Sequence, residues 1–197
     1  KKEVEKGSRY YVPPGKKFLF DGKEENRLSG IIRYLTNEAG GNVHDKGVVV
    51  VSGSSECGGS DRLSKNAVDL DNKQTRFLSK NEENSWLQYN FKDRKIHPTH
   101  YSIRSKPYGP GDYHPCHWVI EGSNTGNNDW KVLDTRSDIK VLDDTSVTHT
   151  FDIQEHLEPN ECYQFLRIRQ TGKNAASNNH LGLSALEYFG TIIENQH

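Results

Sequence analysis

Trp118-Val119-Ile120-Glu121-Gly122-Ser123-Asn124-Thr125-Gly126-Asn127-Asn128-Asp129-Trp130-Lys131-Val132-Leu133 reads as strand, turn, strand. Both ends carry aromatic and β-branched residues, which suit a pleated, half-buried surface. Between them, Ser123 to Asp129 contains only Ser, Asn, Thr, Gly and Asp. These side chains bond back to their own backbone or accept left-handed conformations, so the chain turns there.

The same alternation of short strand and polar turn extends in both directions. Upstream lie Thr99 to Arg104, with Tyr101 and Ile103 on one face, then Trp86 to Phe91, then the β-branched run Val48 to Val51 followed by a Gly/Ser-rich loop at 52–60. Downstream lie Thr148 to Ile153, Tyr163 to Arg169 and Leu183 to Gly190. About eight strands separated by turn clusters predict an all-β sandwich or barrel. One helix is expected: Leu28, Ile31, Ile32 and Leu35 fall at i, i+3, i+4 and i+7, with Ser29 as a cap and Gly40-Gly41 as the stop.

The bulk properties set limits. A chain of 197 residues supports one domain with extensions, and a body of that size buries roughly 70% of its unfolded surface without disulfide or metal support. A net charge of −1 gives no electrostatic reason to bind nucleic acid or an anionic membrane. No apolar run approaches the roughly 18 residues of a membrane span. The N-terminus has no apolar leader core and no Met, so the chain is expected to be a piece of a longer protein. Three widely spaced cysteines (Cys57, Cys116, Cys162) and sixteen Asn without a glycosylation sequon point to a reducing, cytoplasmic setting.

Ala67-Val68-Asp69-Leu70-Asp71 with Thr75 and Phe77, Asn84 to Phe91, Trp118 to Asn124 with Trp130, and Arg167 to Asn174 followed by Leu186 to Gly190 together resemble the discoidin, or coagulation-factor type C, domain. Ser29 to Leu35 and Val48 to Ser52 resemble the variants found in the Sad1/UNC-like domain of HECT-type ubiquitin ligases and in BTB and trichomonad proteins. The resemblance spans about Phe18 to Thr191. It implies a galactose-binding-like, jelly-roll antiparallel β-sandwich at 18–193, between an extension at 1–17 and a tail at 194–197. Two departures stand out. Leu70 replaces a Gly usual in the opening motif, and no terminal Cys pair staples the domain.

The candidate binding residues lie on two loops and the strands feeding them. Arg167 and Arg169 share a face by the two-residue strand period and could fork onto a carboxylate or a pair of glycan hydroxyls; the competing reading pairs one or both with a structural Asp. Lys173, Asn174 and His180 lie in the polar loop that follows. Tyr108, Tyr113 and His114 lie in the Pro/Gly-fixed loop at 106–115, with Arg104 on the strand before it. The resemblance puts both loops at one end of the sandwich. Asp69, Asp71, Thr75 and Glu187 form a candidate Ca²⁺ set, again through the resemblance; the competing reading has Asp69 capping its own turn and Glu187 as a solvated strand residue. His114-Pro115-Cys116-His117 fits no zinc spacing, and Trp86, Trp118 and Trp130 are expected in the core.

No nucleophile elbow, phosphate loop or dinucleotide fingerprint occurs, so no catalytic residue is assigned. The expectation is a non-catalytic module of a larger intracellular protein that recognises a protein partner or substrate. A lectin-like glycan binder and a structural assembly domain are the alternatives. No cofactor is expected beyond the Ca²⁺ candidate.

Overall fold

The computed structural model describes residues 15–194. In chain order the strands are β1 (Lys16–Phe18), β2 (Val50–Gly53), β3 (Phe77–Leu78), β4 (Trp86–Asn90), β5 (Arg94–Arg104), β6 (Trp118–Ser123), β7 (Lys131–Arg136), β8 (Thr148–Asp152), β9 (Phe165–Gln170), β10 (Gly182–Leu183) and β11 (Ala185–Glu194). Among the described residues one α-helix, α1 (Ile31–Ala39), joins short 3₁₀ turns in the β1–β3 region. Residues 1–14 of the expected extension and 195–197 of the expected tail lie outside the described residues.

Two antiparallel sheets face each other. One has the order β1-β11-β5-β8, the other β2-β4-β9-β6-β7, and the small pair β10-β3 lies beside them. The opening hairpin is β6 and β7, with Trp118 opposite Arg136 and Gly122 opposite Lys131. The period-2 rule places Leu87, Tyr89, Trp118, Ile120, Leu166 and Ile168 on the inner face of the five-stranded sheet. They pack against Tyr101, Ile103, Leu186 and Tyr188 of the other sheet in one buried core. Each such large apolar side chain contributes about 1.5–3 kcal/mol by leaving water.

Polar groups inside the core are tied across the sheets. Trp118 Nε1 donates to the Tyr101 hydroxyl at 2.9 Å, Tyr101 donates to the buried Asp134 carboxylate, and Arg136 Nε closes on Asp134 at 2.9 Å. Tyr89 donates to the Leu186 carbonyl at 2.7 Å. Lateral slip between the sheets would orphan these groups in a low-dielectric interior, so they fix the alignment as well as adding stability.

The structure revises several expected elements. The last strand does not end at Gly190. Gly190 is a bulge opposite Pro98, with φ +145 and a backbone so close that a Cβ would stand 2.0 Å from the His97 carbonyl oxygen, and β11 continues to Glu194. The helix starts at Ile31 and Gly30, not Ser29, is its N-cap, because the Tyr188 carbonyl leaves no room for a Cβ at Gly30. Of the three tryptophans, only Trp118 is in the core. Trp86 and Trp130 are half-buried on the outer face of the five-stranded sheet.

Candidate functional site

The strands deliver a cluster of loops to one end of the sandwich. The 106–115 loop connects β5 to β6, the 171–181 loop connects β9 to β10, and β3 with the residues before it lies beside them. The 106–115 loop is shaped from within. His114 is fully buried, and its Nε2 lies 3.0 Å from the carbonyls of both Tyr108 and Gly109. Lys106 is 1% exposed, pairs with Asp112, and sits 5.1 and 4.4 Å from the ring centres of Tyr108 and Tyr113. The Asp112 carboxylate also accepts the Tyr113 backbone N–H. Burial holds the Lys106 ammonium below its ordinary range against the pull of Asp112, and Arg76 and Arg62 push it further down.

This loop forms one wall of a pocket of about 260 Å³, with Arg62, Arg76, Leu78 and His180 on the other sides. The His180 ring stacks on Tyr113 at 4.5 Å and its Nδ1 lies 2.7 Å from the Ser79 carbonyl. Arg76 lies 4.9 Å from the Tyr108 ring centre and donates to Asp61 at 3.0 Å. Its Nε has no partner. Tyr108 is 42% exposed and forms the rim.

Three of the expected binding residues, Tyr108, Tyr113 and His180, therefore meet at one pocket. His114 and the buried Asn174 shape loops and do not line it; the Asn174 amide donates to Asn178 and to the His180 carbonyl. Lys173 is exposed and lines a separate pocket of about 230 Å³ with Glu83, Asn84 and Asn179.

Arg104, Arg167 and Arg169 do not line this pocket, and each is held by bonds within the fold. Arg104 is 1% exposed, and its three nitrogens donate to Ser184 Oγ at 2.9 Å, the Leu70 carbonyl at 2.6 Å and the Asn72 carbonyl at 3.0 Å. Arg167 and Arg169 lie on the outer sheet face and both bond Glu121 of the neighbouring strand, at 2.6 and 2.7 Å. Arg167 is also held 3.8 Å from the Trp130 ring centre. Burial raises the Glu121 carboxyl, but the two guanidiniums more than reverse this and hold it below the usual range. Their partner is a Glu on an adjacent strand and not the expected Asp, and neither arginine lines the loop-end pocket.

The Ca²⁺ set does not fit either. Glu187 is wholly buried and is neither a ligand nor a solvated strand residue. Its carboxylate accepts the backbone N–H groups of Gly30, Ile32, Arg33 and Tyr188, capping α1 from the last strand. Asp71 pairs through both oxygens with Arg33 at 2.9 Å. Thr75 Oγ1 is buried without a partner, but the carbonyls of the turn that a cation would seek already hold the Arg104 guanidinium, which Asp69 and Asp71 face electrostatically. A fixed guanidinium there repels a metal ion. Among the described residues no group of three or more His, Cys, Asp or Glu could hold one, and the three cysteines are free.

Arg62 and Arg76 are pocket cations that sequence reasoning misses, whereas Lys106 opens the expected 106–115 loop. Arg76 stands between two motif residues, Thr75 and Phe77, and a charged residue flanked by a buried strand is the signal that could have marked it.

The chain has the galactose-binding-like, discoidin-type β-sandwich fold. It is similar to module CpGH89CBM32-5 from Clostridium perfringens, solved in complex with GalNAc-β-1,3-galactose (TM-score 0.57, 14% identity, 73% of this chain and 96% of that chain). It is similar to a fucolectin from striped bass (Morone saxatilis) serum (0.56, 17%, 73% and 47%), and to the family 32 CBM of C. perfringens NanJ solved with galactose (0.53, 11%, 75% and 95%). At these identities the likeness shows the fold alone. In sequence, 100 residues are 33% identical to the Drosophila melanogaster E3 ubiquitin-protein ligase Ufd4, half of this chain but 4% of that protein's length. No family model matches. Among the described residues no helix is long and apolar enough to cross a membrane.

Proposed function

We propose that residues 18–193 form a non-catalytic recognition domain of a larger intracellular protein, and that the domain binds a protein partner at the loop-end pocket. The observation that carries this reading is the pocket's construction. A buried lysine, a buried histidine and a stacked Tyr–His pair hold the 106–115 loop, which presents the exposed Tyr108 over the buried Arg76 guanidinium at the entrance of β3. Pre-ordering lowers the entropy cost of binding, and Tyr and Arg are the side chains that most often anchor protein interfaces. The similarity to Ufd4 supports membership in a large ligase-type protein, and the free cysteines support an intracellular setting.

A glycan is the second reading, favoured by the aromatic pair Tyr113–His180 and by the sugars bound in the similar solved modules. A displayed random-peptide library and a glycan array, each probed with the wild-type domain and with folded Tyr108→Ala, separate the two. The proposal expects an enriched peptide consensus that Tyr108→Ala fails to bind. A consensus that Tyr108→Ala binds equally overturns it, and binding to saccharides alone replaces it with the second reading.

A further inference from the structure

Resting on the pocket as the recognition site, we infer that it receives the carboxylate side chain of an acidic peptide segment, paired by Arg76 and Arg62. Three cations, Arg62, Arg76 and Lys106, line the pocket with one carboxylate, Asp112, and a second, Asp61, pairs with Arg76 from outside the lining. Asp112 is taken by Lys106 and the Tyr113 N–H. Asp61 accepts one Arg76 nitrogen and lies 3.8 Å from Arg62. The Arg76 side chain is more than nine-tenths buried, yet its Nε has no partner. A cation excess in a partly dehydrated site is costly unless a counter-charge arrives.

The imbalance is one charge, which one carboxylate corrects. A phosphate, at roughly −1.5 to −2, would overshoot it. Hydrogen-bond polarity points the same way. Of the lining acceptors, the Tyr108 carbonyl is occupied by His114 and the Asp112 carboxylate by Lys106 and the Tyr113 N–H, so few remain for the hydroxyl donors of a sugar. The pocket offers guanidinium donors, and an ionised carboxylate is acceptor-only. Tyr108, stacked against Arg76 and exposed at the rim, gives the adjoining peptide backbone an apolar seat.

Chemical-shift titration of the isotope-labelled full chain tests this with three probes: N-acetyl-glutamate amide, its neutral isostere N-acetyl-glutamine amide, and glucuronate. The glutamate probe should move the Arg76 Nε–H and Tyr108 signals, the glutamine probe should bind about tenfold more weakly, and Arg76→Gln should abolish the difference. If Arg76→Gln does not fold, Arg62→Gln, which alters a 40% exposed side chain, should reduce it instead. Equal binding of the two amides, or no binding of either, overturns the carboxylate while leaving the recognition site to the peptide selection above. Shifts with glucuronate alone overturn the acidic peptide, and shifts confined to Trp86, Trp130 and Arg167 overturn the site as well.

Discussion

Arg104 and Arg76 are both buried arginines on strands or strand entrances of the same domain, 1% and 6% exposed, yet their surroundings differ in one decisive respect. Every nitrogen of Arg104 donates to a neutral acceptor of the chain itself, and it holds the 70–72 turn against Ser184. Arg76 has an orphaned Nε and shares its one acid with Arg62. The outer-face pair Arg167 and Arg169 belongs with Arg104, because Glu121 closes both. Positive charge alone therefore does not mark a binding site in this fold. The proposed site rests instead on a buried arginine donor that the fold has left unused.

The comparison can be broken by paired truncations. Arg104→Met keeps the volume but strands two buried carbonyls and a hydroxyl, so it should cost about 3–5 kcal/mol in urea unfolding. Arg76→Met, with fewer bonds to lose, should cost about 1 kcal/mol. Equal costs would remove the distinction on which the site assignment rests. Next in size, Glu187→Ala removes the acceptor of four backbone N–H groups and should cost about 2–4 kcal/mol, with loss of helical circular dichroism from α1.

Glu187 also sets a pH dependence opposite in sign to that of the ion-paired acids Glu121 and Asp112. Burial raises its carboxyl from 4.5 to about 7, against the four N–H donors, so the folded state holds that proton more tightly than the unfolded chain does. Its contribution to stability is complete below about 4.5 and is lost as pH rises through about 7. Glu121 and Asp112, both held low, contribute above their unfolded values and lose that contribution as pH falls through their folded ones. Urea midpoints measured across this range should therefore fall between weakly acid and neutral pH in the wild type, and the fall should be absent in Glu187→Ala. Parallel profiles would contradict the assignment.

Smaller effects sharpen the comparison. Tyr108→Ala should change stability by less than about 0.5 kcal/mol, as an exposed side chain does, while weakening the selected peptide at least about tenfold in fluorescence titration. Excess EDTA or added Ca²⁺ should leave the melting temperature where it was, because Arg104 already supplies the positive charge at the turn. A calcium-dependent rise in melting temperature would contradict that.

Much of the fold was legible because its signals are local. The Trp118–Leu133 hairpin shows its two strands and its turn within sixteen residues of sequence, and α1 shows its buried face through Ile31, Ile32 and Leu35. Its cap was not legible. The acid that holds Gly30 lies 157 residues away, and no local spacing reports such a pairing. Period 2 correctly put Arg167 and Arg169 on one face, but their partner depends on which strand lies alongside, and that is set by sheet order. A Glu between Ile120 and Gly122 in an otherwise apolar strand was the available hint. The pocket was half legible. Tyr108, Tyr113 and His180 come from loops whose composition announces them, whereas Arg62 and Arg76 reach it only through the packing of β3 against β10 and the turns that precede β3.

The most direct test of the account is to map the binding of a selected peptide onto the labelled domain by backbone and side-chain chemical shifts. Perturbations should cluster on residues 57–62, 76–78, 106–113 and His180, with Arg104 and Arg167 unmoved. A cluster centred on Trp86, Trp130 and Arg167, with Tyr108 and Arg76 silent, would contradict the claim that the loop-end pocket is where this domain recognises its partner.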